Sequence, residues 1–186
     1  MDLALQIASG IGLASCAGLR AFLPLFAVGL AGRAEVIQLG RGFGWLASTP
    51  ALVVLGTAVM AELLADKIPV VDHLLDALGL FVKPLAGTLA MASTLSDTSP
   101  LAAVVLAFIL GLPVASAVHL AKAKVRLVSS LATGGIANPL QSAAEDAVSI
   151  AGCTLCVALP LVGLATLLVL GLILLGRRRM AGRLAP

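Results

Sequence analysis

Five ionisable side chains lie close together in a chain that is otherwise mostly apolar. They fall in the first part of residues 62–84 and are Glu62, Asp66, Asp72, His73 and Asp76. An ionisable group at membrane depth is energetically costly, and in membrane proteins such groups mark ion and substrate paths. The segment therefore predicts an ion or substrate path, or a site that holds a cation.

A local explanation competes with this one. Asp72, at the start of a restarted helix, caps its first N–H groups, and Asp76 is favoured near the positive end of that helix. This explanation accounts for neither Glu62 nor His73. No spacing in the segment matches a zinc pattern, so we expect His73 to be the partner of a neighbouring carboxylate, and whether a metal binds stays open.

An adjacent pair of acids, Glu145 and Asp146, is the second candidate. The pair follows Asn138-Pro139, which with Gln141 predicts a helix cap. The helix dipole stabilises an acid near a helix N-terminus by about 0.3–1 kcal/mol, but an adjacent pair is more than a cap requires. We therefore expect one of the two acids to be functional.

Arg20 is the third candidate, because it lies far from both ends of the apolar run over residues 3–32. This position favours a carboxylate partner inside a helix bundle, and the alternative is that the side chain snorkels to an interface. No residue is predicted to be catalytic. The predicted path residues are Arg20, Glu62, Asp66, Asp72, His73, Asp76, Asn138, Glu145 and Asp146.

The composition indicates the setting in which these groups act. The chain has 186 residues, of which 60% are hydrophobic and 11% charged, and a mean hydropathy of +1.13. Soluble domains carry about 25% charged residues, so the composition predicts a multi-pass membrane protein. The net charge is +3 and comes largely from arginines in residues 177–183. Under the positive-inside rule these place the C-terminus in the cytoplasm, at the inner (plasma) membrane, and they do not indicate nucleic-acid binding.

The first predicted span covers residues 3–32, more than the roughly 20 residues that a spanning helix needs. Small residues recur at every fourth position in two series, Gly10-Ala14-Gly18 and Ala8-Gly12-Cys16. Such spacing lets helix backbones approach closely in lipid. Arg20 and Pro24 predict a helix that is either kinked midway along this span or buried there against protein.

The second predicted span begins at Thr49-Pro50, where a capping side chain precedes a proline in the first helical turn. It runs toward Asp66. Pro69 removes a helical hydrogen bond, so the helix is expected to break there and to restart near Asp72. A third apolar segment is predicted to follow Lys83-Pro84 and to run to residue 95.

The fourth predicted span covers residues 101–120 and begins with a similar cap, Ser99-Pro100. Its small residues keep a spacing of four and predict a packing face, namely Ala103, Ala107, Gly111 and Ala115. Three basic residues, Lys122, Lys124 and Arg126, are expected to mark its solvated end. The last span is predicted over residues 147–175, and its Cys153 and Cys156 are expected to be small buried side chains.

The two halves of this layout predict a weak internal repeat over residues 49–96 and 99–175, preceded by the span at residues 3–32. In each half a span is followed by a broken polar segment and a second span, an arrangement that brackets the binding site in many transporters. The predicted fold is a single all-α transmembrane domain over residues 1–186. It is a bundle of about five transmembrane helices with two broken polar segments.

Three motifs in this order resemble one known family. They are GLRAFLP at residues 18–24, DKIPVVD at residues 66–72 continuing to KPLAG at residues 83–87, and TGGIANP at residues 133–139 with Glu145-Asp146 behind it. The sequence resembles an uncharacterised bacterial membrane-protein family known as domain of unknown function 4126. The resemblance implies an integral membrane protein and implies no activity.

Three functions fit these observations. The first is transport or channel activity for a small ion or polar solute along the broken polar segments. The second is a membrane-embedded enzyme that acts on lipid phosphates with a divalent cation, for which Asp72 and Asp76 form a DxxxD pair without a clear second cluster. The third is a scaffold or assembly subunit. No cofactor is predicted, and the expected partners are the lipid bilayer, a small ion or solute, and further copies of the chain.

The sequence also predicts that the two polar segments pack against each other. The acids of the first segment, Asp66, Asp72 and Asp76, would then face the bases Lys122, Lys124 and Arg126. Opposite charges attract far more strongly in partly dry surroundings than in water. Arg20 and one of the acids at residues 145–146 are expected to close this cluster from inside.

Overall fold

The computed structural model describes residues 2–65, 69–134, 136, 138–160 and 165, and describes residues 69–76 by their backbone alone. Within these residues all regular structure is helical, as predicted. The seven α-helices in this part of the chain are α1 Leu3–Leu19, α2 Phe22–Arg33, α3 Thr49–Ala65, α4 Pro69–Thr94, α5 Pro100–Leu106, α6 Leu112–Thr133 and α7 Asn138–Ala158. A 3-10 turn, Gly44–Ala47, precedes α3, and a π-helical turn, Ala107–Gly111, joins α5 to α6.

The apolar run at residues 3–32 forms two helices and not one kinked helix. Its break lies at Arg20, whose backbone is extended with φ −131° and ψ 113°. Pro24 does not cause the break, because it lies in the first turn of α2. A missing N–H has little consequence there, since the first N–H groups of a helix have no partner within it.

The break predicted at Pro69 adjoins residues 66–68, which lie outside the described residues, so it stays a prediction. The cap of α3 is Ser48, whose hydroxyl accepts from the Ala51 N–H at 3.3 Å. The described backbone of α4 is already helical from Pro69, so Asp72 lies inside α4 and the expectation that it caps a restarted helix is wrong. The separate segment expected after Pro84 is also wrong, because α4 continues through this proline.

The helix start at Ser99 is confirmed, and the Ser99 hydroxyl accepts from the Ala102 N–H at 3.4 Å. The π-helical turn comes just before Pro113. This proline has no N–H to donate, and a local widening is one way in which a helix accommodates that loss. The helix does not end near residue 120, because α6 continues to Thr133 and ends at Gly134 with φ +62°. The end of the span near residue 120 stays a prediction.

Small residues hold α1 against its neighbours, as their spacing predicts. Both predicted series in α1 and the predicted face on α5 and α6 are buried. A Cβ added to Gly18 would come within 2.6 Å of the Ala115 carbonyl oxygen, and one added to Gly87 within 2.5 Å of the Ala115 Cβ. Helices α1, α4 and α6 therefore meet with their backbones in close approach, which requires glycine at these positions.

The outer faces of several helices are apolar. Helices α5 and α6 and the π-helical turn between them form one continuous helical rod, the α5–α6 rod. On this rod Leu101 is 77% exposed and Leu131 80% exposed, and on α3 Val53 is 59% exposed. Among the described residues, two helical stretches are long and apolar enough to cross a membrane, Ala77–Thr94 and Pro100–Thr133. The number of spans and their placement in a membrane remain predictions.

Candidate functional site: a buried ion cluster

Arg20 lies at the break between α1 and α2 and is 1% exposed. Its guanidinium forms an ion pair with the Asp146 carboxylate and donates a hydrogen bond to the Ser142 hydroxyl at 3.1 Å. The extended backbone at Arg20 ends α1 where this side chain meets α7. The predicted pairing of Arg20 with a carboxylate is therefore confirmed.

Glu145 binds two bases that α6 presents on one face. Its Oε2 lies 3.0 Å from the Lys122 Nζ and 3.4 Å from an Arg126 guanidinium nitrogen, and its Oε1 accepts from the Gln141 amide at 3.1 Å. Residues four apart on a helix are neighbours, which brings both bases to one carboxylate. The bases are 6% and 5% exposed. The expectation of a solvated helix end is therefore wrong for both of them, whereas Lys124 is exposed.

These contacts define the buried ion cluster, which consists of Arg20, Lys122, Arg126, Glu145 and Asp146. Its acids are adjacent on α7, so its two groups of ion pairs are parts of one site. The sequence analysis expected one of the two acids to matter, and the structure pairs both of them with bases. It did not include the two bases of α6 among the path residues, but it placed them in a charge cluster that Arg20 and one of these acids close, and the structure brings both bases to Glu145.

Glu62 meets the break from α3. Its carboxylate accepts from the Ala21 N–H at 2.9 Å and from the Phe22 N–H at 3.3 Å. These N–H groups open α2, where the helix has no partners of its own for them and where its dipole favours a negative charge. Glu62 therefore acts as a cap supplied by another helix, next to the residue that begins the ion cluster.

Two further basic side chains are buried where α4 faces α6. Lys83 is 5% exposed and His119 is 2% exposed. A Cβ added to Gly79 would come within 3.0 Å of the His119 ring and 3.3 Å of the Lys83 Cε, so the absent side chain leaves room for both. His119 lies one helical turn before Lys122, on the same buried face of α6. Sequence reasoning missed both residues.

The side chain of Asn138 forms its hydrogen bonds outside the ion cluster. Its side-chain amide and the Ser130 hydroxyl lie 3.1–3.2 Å apart. Gln141 is engaged with Glu145, so the predicted capping box at the start of α7 is not formed. The side chain of Asn138 instead ties α7 to the end of α6.

Several predicted residues lie outside what the structure describes. Asp66 and the arginines of residues 177–183 are outside the described residues, as are the side chains of Asp72, His73 and Asp76. Their predicted roles remain predictions. Among the described side chains, no group of three or more His, Cys, Asp or Glu residues is placed to hold a metal ion.

The three cysteines lie in the core between α1 and α7. Cys16, Cys153 and Cys156 are all buried free thiols, and the three belong to one buried hydrophobic cluster. The interpretation of Cys153 and Cys156 as small buried side chains is confirmed.

No curated protein and no solved structure matches the chain. The model of one protein family matches residues 7–179, a range that contains all three motifs on which the resemblance rests. The chain therefore belongs to the family described as Domain of unknown function (DUF4126).

Proposed function

We propose that this chain is an integral membrane protein of the inner membrane that passes a small ion or polar solute, and that the path includes the buried ion cluster. The observation that carries the proposal is the set of ion pairs between α7 and the break at Arg20 and between α7 and α6. These charges lie inside a bundle whose described helices are mostly apolar. A function that needs charge explains them better than stability does.

The energetics of buried ion pairs support this argument. Taking two charges out of water costs several kcal/mol per ion, and the attraction between them often does no more than offset that cost. Replacing a buried pair with apolar side chains is frequently neutral or stabilising, by about 1–4 kcal/mol. Packing alone therefore gives no reason to keep Arg20 and Asp146 in the core. Ionisable groups at membrane depth are typical of ion and substrate pathways.

The outer surface supports the membrane part of the proposal. Large apolar side chains are exposed on α3 and along the α5–α6 rod, and two stretches have the length and hydropathy of spanning helices. Lipid is the solvent that such faces match, since a water-facing surface needs more charged residues than this chain has. The basic C-terminal segment at residues 177–183 supports a cytoplasmic C-terminus.

The interrupted helix α1–α2 supports a path at this point in the bundle. Transporters place their sites where helices are discontinuous, because the freed ends of half-helices bind charged groups. Here the N–H groups that open α2 bind Glu62, and Arg20 at the same break binds Asp146. The break thus brings a helix end and an ion pair to one place.

Reconstitution of the purified chain in liposomes tests the proposal. Flux is measured for a panel of alkali-metal cations, halides and protons, and liposomes without protein are the baseline. We expect at least one ion to cross faster than the baseline, and Lys122→Gln to abolish that flux. Lys124→Gln is the matched control, because it removes the same charge from an exposed position on the same helix.

Thermal unfolding in detergent checks that both variants are folded. Should Lys122→Gln fail to fold, the double variant Lys122→Gln/Glu145→Gln, which removes both charges of the pair, takes its place. The proposal fails when wild-type liposomes match the baseline for every ion. It also fails when both lysine variants conduct like the wild type.

A further inference from the structure

A line of buried polar side chains follows the interface between α1 and α7. At one end Arg20 binds Asp146, and in the middle Cys16 lies in one buried cluster with Cys153 and Cys156. Further along, the Ser9 hydroxyl donates to the Cys156 carbonyl at 2.9 Å. The two helices are antiparallel, because residues earlier in α1 contact residues later in α7. The interface therefore connects the buried ion cluster with the start of α1.

Ser149 occupies the middle of this line. It is fully buried, and within the described part of the chain its hydroxyl has no hydrogen-bond partner. It lies on the buried face of α7, one turn from Asp146 and one turn from Cys153. Buried hydroxyls almost always have a partner, so this one calls for an explanation. A hydroxyl that receives and passes on protons supplies one.

A polar pocket lies at the far end of the line. Its volume is about 220 Å³, and its lining includes Gln6 and Ser9 of α1 together with Glu35, Gln38, Thr94 and Ser96. The Gln6 amide donates to Ser96 at 3.2 Å and to Asp97 at 2.7 Å. The line of buried groups thus ends in a pocket whose lining can hold water.

We propose that the α1–α7 interface conducts protons between this pocket and the buried ion cluster. The inference rests on the proposed function and names the ion that this path carries. Leu13 and Ala17 are fully buried at the same interface, so the helices are closely packed there. A hydrated metal ion or halide needs an open pore, whereas a proton passes between hydrogen-bonding groups without one.

The transfer conserves every group along the line. A proton arriving from the pocket binds a lone pair of one O–H or S–H group, which releases its own proton to the next group, and the chain of groups then reorients. Neighbours one helical turn apart are about 5–6 Å apart between Cβ atoms, so the proposal places one bridging water between them during transfer, which needs far less room than a hydrated ion. The proton reaches Asp146 at the ion cluster and leaves the residues of the line unchanged.

Proton flux in liposomes tests the inference. The wild-type chain is reconstituted with a trapped pH-sensitive dye, and a potassium gradient with valinomycin sets the voltage. We expect Ser149→Ala to slow proton flux by about a hundredfold, the smaller end of what a positioned proton-transfer group contributes. Thr154→Ala is the matched control, since it removes an exposed hydroxyl from the same helix and should leave the flux unchanged.

The variants should fold, because Ser149→Ala removes no hydrogen bond, and Ser9→Ala provides a second interruption of the line. Equal proton flux in wild type, Ser149→Ala and Ser9→Ala overturns the inference. Flux of another ion without proton flux also overturns it while the proposed function stands. Absence of flux for every ion removes the proposed function itself.

Discussion

The energetics of Glu145 give the sharpest test of the site. Replacing Glu145 with Gln keeps the shape and one acceptor oxygen but removes the charge that Lys122 and Arg126 share. Hydrogen bonds to charged groups contribute about 1.5–3 kcal/mol and neutral ones about 0.5–1.5 kcal/mol. The difference amounts to about 1 kcal/mol at each of the two bases, and breaking a buried ion pair outright costs about 3–5 kcal/mol. We therefore expect Glu145→Gln to lower the free energy of unfolding by about 2–4 kcal/mol.

A double-mutant cycle isolates the interaction. The free energy of unfolding is measured by denaturant titration in detergent for wild type, Glu145→Gln, Lys122→Gln and the double variant. Groups in contact show coupling of about 0.5–3 kcal/mol, and the 3.0 Å contact places this pair among them. The double variant should therefore lose less stability than the sum of the two single variants.

The control cycle pairs Glu145→Gln with Lys124→Gln, an exposed lysine on the same helix. That cycle should be additive within about 0.3–0.5 kcal/mol. Additivity in the Lys122 cycle as well would refute the reasoning, because it would mean that the two side chains share no interaction. Coupling of equal size in both cycles would show a general charge effect and would equally reject the buried contact.

Three further predictions follow from single positions. Glu62→Ala leaves the first N–H groups of α2 without their carboxylate, so unfolding should become easier by about 0.5–2 kcal/mol, as for a lost helix cap. Glu35→Gly should instead stabilise the chain by several tenths of a kcal/mol, because Glu35 has φ 57° just after α2, a conformation that favours glycine. An unchanged or lower melting temperature of this variant would contradict the prediction. Gly87→Ala should destabilise by about 1–3 kcal/mol through its clash with Ala115, while Gly44→Ala, where a Cβ meets nothing within 4 Å, should leave the melting temperature nearly unchanged.

Local signals predicted the features that depend on neighbours in sequence. The cap at Ser99 was predictable because its partner is three residues away, and the packing faces because small residues repeat at helical spacing. A proline predicts a helix break because it removes a helical hydrogen bond. Pro84 shows the limit of that signal, since α4 packs against α6 on both sides of it and stays helical.

The sequence predicted which residues belong to the candidate site better than it predicted which of them form ion pairs with each other. Burial of Arg20 demanded an acid, but the choice of Asp146 depends on how α7 packs against α1, and the two residues are far apart in sequence. Lys122 and Arg126 were assigned to water because basic residues often end a span. Their buried position depends on the continuation of α6 beyond them, and no residue between 120 and 126 indicates that the helix continues.

The π-helical turn at Ala107–Gly111 determines which way the later part of this rod faces. The buried positions Ala103, Ala107, Ala115 and His119 are spaced by multiples of four, and in a regular α-helix each step of four rotates by about 40° too far. The wider turn absorbs one residue and removes about 100° of that accumulated rotation. The direction in which the bases of the ion cluster point therefore depends on an irregularity about three to four turns earlier in the chain.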